Sequence, residues 1–201
     1  DARAWLQASD ARNPQQRIQL GLSEAQLMRD ANDAKGAFDL VNGMLDRMPN
    51  DPDLLYEQSM LAERIDRLDV METSLRKLME LRPDNAHAYN ALGYSLADRS
   101  LRLPEARTLI ERALQLAPND AFIIDSMGWV LFRQGQVQEA IVHLQRAFTL
   151  RPDAEIAAHL GEVLWISGDR AAGEKILQDA AGKFPDNDVL QKTLQRLRQN
   201  R

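Results

Sequence analysis

Asn119-Asp120-Ala121-Phe122-Ile123-Ile124-Asp125-Ser126-Met127-Gly128-Trp129-Val130-Leu131-Phe132-Arg133-Gln134-Gly135-Gln136-Val137-Gln138-Glu139-Ala140-Ile141-Val142-His143-Leu144-Gln145-Arg146-Ala147-Phe148-Thr149-Leu150-Arg151-Pro152 is the stretch that decides the fold. Ile124, Met127, Gly128 and Leu131 recur at intervals of three and four, and so do Ala140, Leu144 and Ala147, which predicts two helices broken at Gly135 and stopped at Pro152. Gly128, Ala140 and Ala147 are small enough for the two backbones to lie close, while Met127, Leu131 and Leu144 fill the space around the contact. The result is a helical hairpin.

The hairpin recurs. Pro14, Pro49, Pro83, Pro118, Pro152 and Pro185 close successive units, one roughly every 34 residues, whereas Pro52 and Pro104 start helices instead. With the closing proline numbered 32, position 8 holds Ala25, Ser59, Gly93, Gly128 and Gly161, and position 20 holds Ala37, Met71, Ala106, Ala140 and Gly173. Position 24 holds Val41, Leu75, Ile110, Leu144 and Leu177. Small, small and aliphatic is what a close helix pair requires.

Five full repeats follow from this register, 15–49, 52–83, 86–118, 121–152 and 154–185. Residues 1–14 fit only the second half of a repeat, with Leu6 at position 24, so a first helix is expected upstream. That lone helix, with Trp5 and Leu6 uncovered, is expected to fray or to pair with a second copy. Repeat one is the loosest, with Glu24 where a buried aliphatic is expected. Repeat three carries an extra residue near Leu101-Arg102-Leu103. Residues 186–201 read as a capping helix, with Val189, Leu190, Leu194 and Leu197 turned inward and Lys192, Arg196, Arg198 and Gln199 turned to water.

The 201 residues, 44 % of them hydrophobic, suffice for a large core, and no run approaches the ~20 apolar residues of a membrane span. A net charge of −5 with scattered Lys and Arg argues against nucleic acid, whose binders gather basic residues on one face. Without cysteine there is neither a disulfide nor a thiolate metal site. His87, His143 and His159 lie in different repeats without a ligand partner on their own helix faces, so no metal site is expected. Asp51 with Asp53 and Asp186 with Asp188 sit where helices begin and read as caps. No nucleophile, base and orienter assemble, so the chain is read as no enzyme, with no catalytic residue and no cofactor.

In stacked hairpins the first helix of each repeat lines the concave face. The residues predicted to point into it, and to bind a partner, are Tyr56 and Met60 of repeat two, and Asn90 and Tyr94 of repeat three. Repeat four adds Phe122, Asp125, Trp129, Phe132 and Arg133, and repeat five adds Glu162 and Trp165. Only 5 % of the chain is aromatic, so this concentration on one side suggests an apolar patch, continuous from Trp129 to Trp165, on which a protein or peptide docks. The competing reading is that the residues at position 12, and some of those at position 9, pack against the neighbouring repeat.

A period near 34 with two helices per unit resembles the tetratricopeptide repeat family over essentially the whole chain. More narrowly, Asn90-Ala91-Leu92-Gly93-Tyr94, Asp125-Ser126-Met127-Gly128-Trp129 and Ile156-Ala157-Ala158-His159-Leu160-Gly161 resemble the C-terminal repeats of proteobacterial lipoproteins of that family. The first resemblance implies an all-α, right-handed superhelix of helix-turn-helix repeats that binds proteins without catalysis. The second implies a periplasmic adaptor, outer-membrane anchored through an absent N-terminal lipid, that binds and activates a carboxyl-terminal processing protease and presents substrates to it. A cytoplasmic location, the repeat domain of a larger enzyme, and a self-assembling scaffold stay open as alternatives. The chaperone-tail clamp of the family uses Lys and Asn at positions 5 and 9, where this chain offers Tyr56, Met60, Asp125 and Trp129, with Asn90 the one match in character.

Overall fold

A computed structural model of the chain describes residues 13–199, so the lone helix expected before residue 13 lies outside the described residues. Among the described residues there are eleven α-helices and no strand, and none of the helices is long and apolar enough to cross a membrane. Two compact units divide the chain, Asp1–Ala88 and Tyr89–Arg201.

The N-terminal unit contains α1 (Pro14–Asp30), α2 (Ala34–Leu45), α3 (Pro52–Arg64) and α4 (Leu68–Leu81), which pair as two hairpins. Each start has a local cause. The Asn13 side chain accepts a hydrogen bond from the Gln16 amide (2.8 Å), Asp33 accepts one from Gly36 (2.9 Å), and Asp51 accepts from Asp53 and Leu54 (3.1 and 3.0 Å). Prolines in the first turns of α1 and α3 are pre-shaped for the helix and give up an amide that has no partner there. Ala25, Ser59, Ala37, Val41 and Leu75 are wholly buried, so the three periodic positions form the seam of each hairpin. Glu24 is itself buried, in a place the period reserves for an aliphatic. One polar chain crosses between the hairpins: Ser74 Oγ donates to Gln58 Oε1 (2.6 Å) and Gln58 Nε2 donates to Asn42 Oδ1 (2.9 Å). Lys77 Nζ also reaches back to the carbonyl of Pro49, the proline that closes repeat one.

The C-terminal unit takes in α5 (Ala86–Asp98), which begins just before the boundary, then α6 (Leu103–Leu116), α7 (Ala121–Arg133), α8 (Val137–Leu150), α9 (Ala154–Ser167), α10 (Arg170–Lys183) and α11 (Asp188–Gln199). Gly93, Gly128 and Gly161 on the first helices lie against Ile110, Leu144 and Leu177 on the second. The hairpin α9–α10 has glycine on both sides of its seam. A Cβ on Gly173 would fall 2.5 Å from the Gly161 carbonyl oxygen and 2.9 Å from the Trp165 amide nitrogen, so backbone meets backbone here. Gly135, at φ +82°, makes the turn between α7 and α8.

Ser100, at φ 55°, is the left-handed turn residue that Asn32, Asp66, Gly135 and Gly168 supply in the other repeats, and the extra residue of repeat three brings a second one, Arg102 at φ 44°. Repeat four holds that turn, because Arg133 Nε donates to Ser100 Oγ (3.0 Å) and Gln134 Nε2 donates to the Leu103 carbonyl (3.2 Å). At the end of the chain, Leu190, Leu194 and Leu197 of α11 join Ala157, Ala158, Trp165, Leu177 and Ala180 in one apolar cluster. Val189 does not follow the inward stripe expected of it. It is 40 % exposed, and Thr193 takes the buried place instead.

Candidate partner-binding site

The first helices of the N-terminal unit line an open cavity of about 850 Å³, within the range of small-molecule and peptide sites. Gln19, Leu22, Ser23, Gln26 and Leu27 of α1 form one wall, Pro52, Asp53, Tyr56 and Glu57 of α3 the other, and Asn85 and His87 close one end. The walls are held together by Arg29, whose guanidinium pairs with Glu57 at 2.8 Å while both side chains are largely covered. Burial raises the Tyr56 phenol above its ordinary pKa, and the charges of Glu57 and Glu63 add to the shift, so this face is negative as well as partly dry. Among the described residues, neither Lys nor Arg lines the cavity.

Of the eleven residues predicted to bind a partner, Tyr56 alone lines this cavity. Met60, on the same helix, is half-buried outside it. The α1 wall escapes the sequence reading because repeat one has the loosest register, although Gln19, Ser23 and Gln26 recur at four and three and mark a polar stripe on that helix.

In the C-terminal unit the expected exposed patch is not formed. Trp129 is 4 % and Trp165 8 % exposed, Asp125 5 % and Glu162 4 %. Packing, the competing reading for positions 9 and 12, accounts for all four. Trp129 stacks on His159 with ring centroids 4.2 Å apart and planes at 19°, and its Nε1–H donates to Asp98 Oδ1 (3.2 Å). Trp165 belongs instead to the apolar cluster under α11, with the Arg170 guanidinium 5.9 Å from its ring centroid. Glu162 is joined by Arg196 of α11 at 2.5 Å. Phe132 and Arg133 flank Trp129, at 5.3 and 5.6 Å, and both are half-buried. Asn90 and Tyr94 are half-buried on α5, with the Tyr94 hydroxyl 3.4 Å from His159 Nε2. Phe122 is the exposed member, at 39 %, and stands apart with the Arg151 guanidinium over its ring at 4.8 Å.

His159 is the residue that links most of this group, although in the sequence it reads as an isolated histidine. Its partner Asp125, 2.8 Å from Nδ1, lies one repeat earlier, and Arg196 lies one repeat after Glu162. An acid and a base spaced by one period on successive first helices is the signal that reveals both pairs.

A tetratricopeptide repeat profile matches residues 56–121 and 126–188. The chain belongs to the tetratricopeptide repeat family. It is 43 % identical over 197 residues to the TPR repeat-containing protein PA4667 of Pseudomonas aeruginosa, a match that takes in 98 % of this chain but only 33 % of that protein. Among solved structures it is similar to TTC0263, a thermophilic TPR protein of Thermus thermophilus (TM-score 0.79, 19 % identity, 89 % of this chain and 97 % of that one). It is similar also to MamA of Desulfovibrio magneticus RS-1 (TM-score 0.66, 20 % identity, 85 % and 96 %). A third is YrrB, described as a TPR protein with an unusual peptide-binding site (TM-score 0.57, 17 % identity, 88 % and 91 %). At these identities the structural likenesses establish the all-α repeat fold, whose general use is the binding of other proteins or peptides.

Proposed function

We propose that this chain is the partner-binding part of a non-catalytic adaptor and that the cavity between α1 and α3 is its seat. The observation that carries the reading is the cavity of about 850 Å³ with Tyr56 in its wall, a large, half-covered aromatic of the kind that anchors interfaces. Asp53, with no Lys or Arg among the described lining residues and with the Glu57 charge already answered by Arg29, suits a segment that brings a basic or amide side chain and disfavours a terminal carboxylate. The resemblance of the chain's later repeats to proteobacterial lipoproteins motivates a narrower proposal. In it the parent protein is held at the outer membrane, works in the periplasm, and brings a carboxyl-terminal processing protease together with its substrates. The chain spans about a third of its Pseudomonas relative, so further contacts outside it belong to the same proposal.

The test uses purified carboxyl-terminal processing protease and fluorescent peptides scanning its surface segments, in basic and acidic versions. Tyr56→Ala is expected to weaken binding by ~2 kcal/mol, about thirtyfold, with the thermal unfolding of the chain little changed. Equal affinity of Tyr56→Ala and wild type for the protease excludes this seat, and no binding by the wild-type chain excludes these repeats as the part that holds the protease. Tighter binding of acidic than basic peptides would overturn the charge preference alone.

A further inference from the structure

The buried charge in the C-terminal unit has no part in the proposed seat. His159 is 5 % exposed at the centre of α9 and meets three other first-helix or capping elements directly or through one neighbour. From α7 comes Asp125, whose Oδ2 is 2.8 Å from Nδ1, and Trp129, stacked on the ring. From α5 comes the Tyr94 hydroxyl, 3.4 Å from Nε2, and Asp98, which fixes the Trp129 indole. Glu155 and Glu162 on α9 itself also act on the ring by charge, and Glu162 is tied to Arg196 of α11. The second helices α8 and α10 meet α9 through Ala147, Leu177 and Ala180, which carry no charge.

Asp125 is as buried as His159, and its other oxygen, Oδ1, has no hydrogen-bond partner among the described residues. The imidazole is therefore the group that compensates that carboxylate. A neutral ring would leave a buried anion uncompensated with the Glu155 carboxyl near it, whereas an imidazolium satisfies Asp125 and stacks its charge on the Trp129 π-system. We infer that a protonated His159 clips together the first helices of the three C-terminal repeats, so that the hold of this clip is complete in mild acid and is lost as the pH rises beyond neutrality.

Electrostatics agrees with the geometry. Burial alone would lower the His159 pKa, but Asp125, by charge and by hydrogen bond, with Glu162 and Glu155, outweighs it and carries the pKa above the ordinary 6.5. Below 6.5 the ring is charged in the folded and the unfolded chain, and the contribution of the pair is complete. Above it the unfolded chain gives up the proton while the folded unit keeps it. The folding constant then falls about tenfold per pH unit until the folded ring also releases its proton.

Three readings on the protein test this. In wild type, the His159 ring resonances should titrate with a midpoint above 6.5, and that midpoint should fall in Asp125→Asn. Indole emission, quenched by the imidazolium stacked on Trp129, should rise through the same pH range and stop doing so in His159→Gln. Urea midpoints should decline between about pH 6 and 9 more steeply in wild type than in Asp125→Asn. A His159 midpoint at or below 6.5, or parallel decline of the two proteins, would overturn the inference. The wild-type ring titration decides the matter even if a variant does not fold.

Discussion

Trp129→Ala is expected to lower the stability of the chain by about 3–5 kcal/mol, the range for truncating a buried aromatic. The side chain is 4 % exposed, its ring lies on His159, and its indole N–H is satisfied by Asp98 in the preceding repeat. Removing it opens the contact between repeats four and five, and the Arg133 guanidinium loses the ring it covers, whereas Asp98, being exposed, takes water in place of the indole. Phe122→Ala is the matched control. That ring is 39 % exposed, and its truncation should cost under about 1 kcal/mol. Urea unfolding of both variants, followed by far-ultraviolet circular dichroism, measures the difference. A loss below about 1 kcal/mol for Trp129→Ala would show that this side chain is not the inter-repeat wedge described above.

Gly173→Ala is the second large effect. The new Cβ would sit 2.5 Å from a backbone oxygen, which cannot swing aside as a side chain can, so α9 and α10 must separate along their whole seam. Overpacking of this kind costs about 1–3 kcal/mol, and the gain in helix propensity from Gly to Ala, up to about 1 kcal/mol, offsets only part of it. Gly182 lies on the same helix with nothing within 4 Å of its Cβ position, so Gly182→Ala meets the propensity term alone and should be neutral or stabilising. Opposite signs for one chemical change on one helix, read as melting temperatures, are the expected result. Two variants that shift together would mean the α9–α10 backbones stand further apart than the structure places them.

The hairpin seams were legible because each depends on residues within one repeat. Ala140 and Leu144 must meet Gly128 whatever the neighbours are, and the period exposes them. The fate of the first-helix aromatics was not legible in that way. Tyr56 lines a cavity and Trp129 is sealed, and nothing in either residue's own repeat separates the two. What separates them lies one repeat away: His159 supplies a flat partner for Trp129, whereas Tyr56 looks across to the polar stripe of α1. Val189 failed for a related reason. Helical spacing put it on the inward stripe of α11, but the cluster under that helix takes Leu190, Leu194 and Leu197, and Val189, in the first turn, stays 40 % exposed.

Arrays of similar repeats face a hazard that a single-core protein does not, since any hairpin could dock on the wrong neighbour with much the same apolar fit. The Asn42–Gln58–Ser74 chain gives the first junction an identity. Gln58 is nearly sealed, and both ends of its amide are used, one by Ser74 of its own hairpin and the other by Asn42 of the preceding one, so a hairpin that docks there without an acceptor strands a buried polar group. Such a group costs about 1–3 kcal/mol, enough to make a misassembled junction roughly ten to a hundred times rarer than the correct one. The polar thread adds little to the depth of the native state. It works against the competitors, by making the order of the repeats something the chain can check while it folds.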